Sequence, residues 1–246
     1  MKFSCEQQKL TKALNVVSKA VTSRSTIPTL KGIMLEVTSE GKLTMSASDL
    51  DISIQDTIDV NTTEPGAIIV MAKLFGDIIR KLPSVEINIE SDDENNVTIK
   101  CMNSEFKIIG MSTDEFPNVN MVSEETEAID FNKSELRKMI DKTSFAASNE
   151  ESRGVITGVL IELTPDQMNM VAIDGYRMAI NRKAKVSTNP GNIIISAKII
   201  SEISRIIGET DSDEENGKML LSEKKVIFKF DNIQAELKLI DGEFIN

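Results

Sequence analysis

Residues Pro65–Lys73, PGAIIVMAK, return later in the chain as residues Pro190–Lys198, PGNIIISAK. The two stretches lie 125 residues apart and share a Pro-Gly pair, an apolar centre and a closing Ala-Lys. A segment that recurs at a fixed distance is typical of a repeated structural unit. The chain is therefore predicted to contain two copies of one domain.

Shorter matches on either side of this pair keep nearly the same spacing. They set Leu10 against Leu136, Leu30–Glu36 against Ile156–Glu162, Ser48–Leu50 against Ile173–Gly175, and Asp114–Asn118 against Gly242–Asn246. The offset stays between 125 and 128 residues throughout. We predict domains at residues 1–120 and 127–246, with a Glu- and Ser-rich linker at Val119–Glu127.

The apolar pattern of each copy predicts a helix after a short first strand and a second helix after the Pro-Gly strand. The first helices place on one face Leu10, Ala13, Leu14 and Val17, and in the second copy Leu136, Met139 and Ile140. The second helices carry Leu74, Phe75, Ile78, Ile79 and Leu82, and Ile199, Ile200, Ile203, Ile206 and Ile207. Elsewhere β-branched residues alternate with polar ones, as strands require. Many strands with two helices per copy favour an α+β fold, with helices on one face of antiparallel sheets.

The missing residue types exclude several classes of protein. The chain contains no His and no Trp, which rules out His-dependent catalytic triads and His-ligated metals. Tyr176 is the only tyrosine, which disfavours stacking of single-stranded bases on aromatic rings. Cys5 and Cys101 are too few for a disulfide framework or a four-ligand zinc site. We predict no catalytic residue, no metal, no cofactor and no membrane partner, in a reducing cytoplasm.

Two acidic runs are the best candidates for an enzyme or metal site. Within the run Glu209–Glu215, a calcium loop could begin at Asp211, but its sixth position is then Asn216 rather than Gly and its twelfth is Ser222 rather than Glu. The other run, Ser91–Glu94, lacks such a pattern. Solvated loops are the simpler interpretation of both.

Charge is divided unevenly between the predicted helices and the rest of the chain. The net charge is -11, yet residues 6–20, 72–82, 132–146 and 197–207 together carry +7, so the remainder carries -18. Helices commonly place Lys and Arg on solvated faces, which is one explanation. The other is a helix-lined surface that attracts phosphate on a body that repels non-specific contacts.

Several motifs resemble one known family. They are Met1–Phe3, Ile27–Leu30, Glu64–Gly66, Glu115–Asn118, Ser152–Gly158 and Ala172–Ala179. In order and along the whole chain, these motifs resemble the bacterial β sliding clamp of DNA polymerase III. The resemblance implies two tandem DNA-clamp domains, with a third expected after Asn246, in a ring of two subunits. It also implies a non-catalytic processivity factor whose partners are double-stranded DNA, the polymerase III catalytic subunit, the clamp loader and a second copy.

The resemblance assigns DNA contacts to Arg24, Lys73 and Lys198. The alternative for each is an ordinary solvated cation. Glu150 falls where some members carry a DNA-contacting Gln, and its carboxylate is expected to repel phosphate.

The resemblance also assigns one wall of a groove for partner peptides. Its positions are Ile156, Ile173, Gly175, Tyr176, Arg177 and Met178. Without the family, Asp174-Gly175 would indicate only a hairpin turn. This sequence departs from frequent family residues at Ile173, Tyr176, Met178 and Ile245, which leaves the peptide preference open.

Phe106 and Ile108 match the apolar patch through which the first domain meets a neighbouring subunit. The alternative is that both are buried in their own domain. Two other classes remain open: an enzyme, which an activity assay would reveal, and a repeat-built adaptor that binds proteins without DNA.

Overall fold

The computed structural model describes residues 1–117, 128–184, 190–210 and 215–245. Contacts divide the chain into two compact units, Met1–Val119 and Asn120–Asn246. The predicted linker Val119–Glu127 lies outside the described residues. No helix within the described ranges is long and apolar enough to cross a bilayer.

The first unit combines two antiparallel sheets with two helices. Its elements are β1 (Lys2–Glu6), α1 (Gln7–Val17), β2 (Gly32–Val37), β3 (Lys42–Ser48), β4 (Ile52–Asp59), β5 (Asn61–Glu64), β6 (Gly66–Met71), α2 (Ala72–Lys81), β7 (Glu86–Ser91), β8 (Asn96–Cys101) and β9 (Ser104–Ile109). One sheet has the order β5-β1-β7-β8-β9 and the other β4-β3-β2-β6. Short 3₁₀ turns at Ser18–Ala20 and Pro28–Lys31 precede β2.

The second unit repeats this order. Its elements are β10 (Ala128–Asn132), α3 (Lys133–Thr143), β11 (Gly158–Leu163), β12 (Gln167–Ile173), β13 (Met178–Ala184), β14 (Gly191–Ser196), α4 (Ala197–Glu209), β15 (Asn216–Leu221), β16 (Lys225–Phe230) and β17 (Ile233–Lys238). Its sheets have the orders β10-β15-β16-β17 and β13-β12-β11-β14. Two 3₁₀ turns, Ser144–Ala146 and Glu151–Thr157, lie between α3 and β11.

Strand order confirms the predicted α+β fold and the internal repeat. The series β1-β7-β8-β9 corresponds to β10-β15-β16-β17, and β4-β3-β2-β6 corresponds to β13-β12-β11-β14. The pattern did not predict β5, because Asn61–Glu64 contains no apolar residue. This strand forms through backbone pairing with β1, where Thr62 lies opposite Phe3.

The helices bury most of the apolar faces that their spacing predicts, but Ile78 and Ile199 are only half-buried and Leu74 is exposed. Phe75 and Ile79 of α2 are fully buried, whereas Leu74 is 50% exposed. Residues 75 and 79 lie one turn apart on the core side, and residue 74 stands about 100° away around the helix. Leu74 therefore reaches the surface beside Lys73.

A repeated glycine explains one of the sequence matches. A Cβ atom at Gly32 would lie 2.4 Å from the Ile69 side chain, and one at Gly158 would lie 2.5 Å from Ile194. Both glycines begin the strand that pairs with the Pro-Gly strand of their own copy. Glycine there lets the two strands approach closely.

Candidate functional site

Lys73 and Lys198 occupy the same place in the two copies, the second residue of α2 and of α4. Both are exposed, and no carboxylate in the described part of the chain pairs with either. The first turn of a helix carries partial positive charge, so a cation there is unfavourable by about 0.3–1 kcal/mol. Helix stability therefore does not account for these lysines.

Arg24 lies in the loop between the two 3₁₀ turns of the first unit. Its side chain is exposed and has no partner within the described ranges, while its backbone amide donates to Thr22 Oγ1 at 3.3 Å. The corresponding position of the second copy is Glu150, whose carboxylate lies 3.9 Å from the Arg153 guanidinium. The two copies thus carry opposite charges at this position.

Several other helix cations are neutralised locally, so the sum of helix charges overstates the free positive charge. Arg80 pairs with Asp77 at 3.3 Å, Arg137 with Asp141 at 3.8 Å, and Arg205 with Glu202. Besides Lys73 and Lys198, the exposed helix lysines without a partner among the described residues are Lys81, Lys138 and Lys142. These three lysines were not assigned a role from the sequence. Their positions close to Arg80 and Arg137 on the same helices could have indicated that they are exposed.

The turn between β12 and β13 brings most of the predicted groove residues together. The Asp174 carboxylate accepts hydrogen bonds from the amides of Tyr176 and Arg177 at 2.9 and 3.0 Å, and from Arg177 Nε at 2.8 Å. Gly175 adopts φ 91°, a left-handed conformation that glycine tolerates best. These bonds, from the Tyr176 amide first, lower the pKa of Asp174. The carboxylate therefore stays charged, and keeps the turn closed, unless the pH falls below that lowered pKa.

Exposure separates the groove residues into two groups. Tyr176 is 96% and Met178 is 56% exposed, whereas Ile156 is only 7% exposed. Ile173 is half-buried. Ile156 and Ile173 are therefore largely covered by the protein, whereas Tyr176 and Met178 lie at its surface.

Three neighbouring residues were not assigned a role from the sequence. Ile180 is 46% exposed, and strand alternation from Met178 could have indicated it. Phe145 is 59% exposed and stacks under the Arg177 guanidinium, whose carbon lies 5.8 Å from the ring centre. Arg153 Nη1 donates to the Asp174 carbonyl at 2.7 Å; no sequence pattern indicates that contact.

The predicted interface residues of β9 differ from each other. Phe106 is 39% exposed, but Ile108 is only 8% exposed. The alternative of burial in its own domain therefore applies to Ile108, which lies near the bridge between Met111 and Ile69, and not to Phe106. That bridge brings the end of β9 against the second sheet of the unit, and Ile109 is the exposed apolar residue beside it, at 76%.

The cysteines are placed for packing rather than chemistry. Both are buried and neither forms a disulfide. Burial, with the nearby Glu86 carboxylate, raises the pKa of the Cys5 thiol to about 12, so it carries almost no thiolate at neutral pH.

Within the described ranges, no group of three His, Cys, Asp or Glu residues is arranged to hold a metal. Residues 211–214 of the second acidic run lie outside those ranges.

Known proteins resemble the chain along its whole length. The family of the DNA polymerase III beta subunit matches with its N-terminal domain at residues 1–120 and its central domain at residues 130–246. The beta sliding clamp of Bacillus subtilis is 32% identical and that of Halalkalibacterium halodurans 34% identical, each over 99% of this chain. The chain spans 66% of the length of these curated relatives.

Solved structures agree with the sequence comparison. The crystal structure of the Bacillus subtilis DNA polymerase sliding clamp superimposes with a TM-score of 0.94 at 31% identity, over all of this chain and 66% of that one. The Pseudomonas aeruginosa sliding clamp bound to griselimycin gives a TM-score of 0.92 at 26% identity, with the same coverage. Since the two domain matches together span nearly the whole sequence, the chain belongs to the DNA polymerase III beta subunit family.

Proposed function

We propose that the chain is part of a sliding clamp, a processivity factor of DNA replication that encircles double-stranded DNA and tethers the replicative polymerase. The observation that carries the proposal is the pair Lys73 and Lys198. Each is exposed, stands where the helix dipole disfavours a cation and has no carboxylate partner in the described ranges. A phosphate backbone accounts for a cation at this place in both copies. Phosphate contacts carry no base identity, so binding is independent of sequence.

The assembly we propose contains more than these 246 residues. Residues 1–120 and 127–246 each form one clamp domain, and a third domain completes a subunit of the length of the relatives. Two such subunits close into a ring through the surface at Phe106 of one and the third domain of the other, whereas Ile108, which is buried in its own unit, makes no contact across the interface. The clamp loader opens the ring, the polymerase III catalytic subunit docks on it, and both act in the cytoplasm.

We propose that the chain has no catalytic site of its own. It contains no His, and the thiol of Cys5 is buried with a raised pKa. Polymerase activity therefore belongs to a partner, and the clamp contributes attachment.

A comparison of circular with linear DNA provides a direct test of the ring. We expect the full-length protein, loaded on nicked circular DNA by the host clamp loader, to stay bound through gel filtration and to be released when a restriction enzyme linearises the circle. A ring slides off a free end, whereas a protein bound only by surface contacts stays. Equal retention on circular and linear DNA contradicts the proposal. No retention on either favours the adaptor that binds proteins without DNA.

Peptide binding tests the proposed groove at Ile156, Ile173, Gly175, Tyr176, Arg177 and Met178. An apolar peptide side chain gains about 25 cal/mol per Å² of apolar area buried, and residues 1–246 provide only one wall. We expect a clamp-binding peptide from the host polymerase to bind this chain at least roughly tenfold more weakly than the full-length protein, about 1.4 kcal/mol. Met178→Lys in the full-length protein is expected to weaken binding similarly. Equal affinities in calorimetry would place the groove elsewhere.

Assembly of residues 1–246 tests the proposed interface. Phe106 is 39% exposed. In a sample of residues 1–246 alone, the proposed third domain is absent and cannot cover it. We therefore expect a monomer by light scattering at micromolar concentration. A stable dimer that persists in Phe106→Ser would contradict the assignment of β9 to the ring interface.

A further inference from the structure

Both copies contain the same turn at the corresponding place. Asp49 Oδ1 accepts hydrogen bonds from the amides of Asp51 and Ile52 at 3.0 and 2.8 Å, as Asp174 does in the second copy. The residue after each aspartate is left-handed, Leu50 with φ 77° and Gly175 with φ 91°. This turn is therefore a property of the fold and does not distinguish the proposed groove.

The arginines around the turn occur in the second copy alone. Arg153 corresponds in the repeat to Ile27, and Arg177 corresponds to Ile52. Ile27 has no donor for the turn carbonyl, and Ile52 is 3% exposed and part of the core. In the second copy, Arg153 instead donates to the Asp174 carbonyl at 2.7 Å, and Arg177 lies between the Asp174 carboxylate and the Phe145 ring.

The backbone around Arg153 is shaped to allow this contact. Gly154 has φ 60° and ψ -127°, a conformation essentially restricted to glycine. At Gly175, a Cβ atom would stand 3.4 Å from Arg153 Nη2, an ordinary contact distance, so the guanidinium lies directly beside the turn. The side chain of Arg153 is 36% exposed, and its hydrogen bond to the Asp174 carbonyl joins it to the turn.

We propose that Arg153 and Phe145 are positioning residues for the peptide wall, an inference that rests on the proposed clamp function. Arg153 fixes the carbonyl side of the turn, and Phe145 fixes Arg177 on its other side. Together they hold the exposed Tyr176 and Met178 in place before a peptide arrives. A surface ordered in advance loses less conformational freedom on binding, so affinity is raised without contact between Arg153 and the peptide.

The test compares Arg153→Gln, Arg153→Lys and Phe145→Ala in the full-length protein. The probe is the fluorescein-labelled clamp-binding peptide of the host polymerase. We expect Arg153→Gln to weaken binding about tenfold with an unchanged unfolding midpoint, and Arg153→Lys, which retains one donor, to recover part of the loss. Amide exchange across residues 174–178 is expected to quicken in Arg153→Gln and in Phe145→Ala. The matched control is Arg205→Gln, an arginine on α4 with a local Glu202 partner, which is expected to change neither quantity.

A double-mutant comparison distinguishes positioning from direct attraction to the peptide. If Arg153 acts through the wall, its substitution has little further effect in a Met178→Ala background. If it attracts a peptide carboxylate directly, the two losses add and the Arg153 effect shrinks in salt, which overturns the proposal. Unchanged affinity in Arg153→Gln also overturns it.

Failure of the proposed function gives a different result. In that case Met178→Lys leaves peptide affinity unchanged, because the groove itself is misplaced. When Met178→Lys abolishes binding and Arg153→Gln does not affect it, the groove stands and only the positioning role is wrong.

Discussion

Lys133→Met is expected to lower the free energy of unfolding of the second unit by about 3–5 kcal/mol, the range for breaking one partner of a buried ion pair. Lys133 begins α3, and its Nζ lies 2.8 and 3.0 Å from the two carboxylate oxygens of Asp231. The side chains are only 8% and 13% exposed. Removal of the lysine leaves the Asp231 carboxylate without a partner and largely out of water, and the desolvation of that charge is then uncompensated.

Burial, rather than distance, decides the size of this effect. Lys42 and Asp59 approach to 2.5 Å, but their side chains are 51% and 77% exposed. Lys42→Met is therefore expected to change stability little, because water replaces the lost partner. The double variant Lys133→Met with Asp231→Asn is expected to recover much of the loss, since it removes both charges.

Hydrogen exchange measured by mass spectrometry locates the effect within the chain. Faster exchange is expected in peptides from residues 128–184 and 215–245. Peptides from residues 1–117 act as the internal reference. In the first copy the position that corresponds to Lys133 is Gln7, so the substituted lysine has no counterpart there. Equal protection of the second unit in wild type and Lys133→Met would show that the pair contributes nothing to stability.

The repeat made the fold predictable, because two copies of one pattern constrain each other. The segments Pro65–Lys73 and Pro190–Lys198 support each other, and in the structure each contains a strand that leads into a helix. The exception, β5, forms through backbone pairing to β1, and side-chain patterns carry no information about such pairing.

Sequence indicated the candidate site only in part. Asp-Gly is a local signal that indicates the turn at Asp174, and the resemblance to the family assigned the turn its role in peptide binding. The contact from Arg153 spans 21 residues and depends on the path of the chain at Gly154, which local spacing does not specify. Burial of Ile108 has the same cause, since it follows from the sheet that lies against the end of β9.

Arg24→Glu combined with Lys198→Glu is expected to weaken the association of the full-length protein with duplex DNA on the order of a hundredfold at 50 mM salt. Both side chains are exposed, and no described carboxylate pairs with either, so their reversal is expected to leave stability nearly unchanged. Each lost phosphate contact lowers the slope of log affinity against log salt concentration by about one unit. The double variant is therefore expected to lose about two units of slope, and the loss of affinity is expected to shrink as salt rises.

We expect this loss of affinity to depend on where the two charges lie and not on net charge alone. A variant with the same change in net charge at other positions tests this expectation. Lys42→Glu with Lys218→Glu makes the same change in charge, one lysine in each unit, but on strands β3 and β15. Long-range repulsion acts in both variants and is screened beyond about 10 Å at 0.1 M salt, whereas direct phosphate contacts are lost only when Arg24 and Lys198 are replaced. Fluorescence anisotropy on two unrelated duplexes should show the same loss on each for Arg24→Glu with Lys198→Glu, and a small loss for the strand variant. Equal losses in the two variants would mean that DNA is attracted by overall charge and that Arg24 and Lys198 do not line its path.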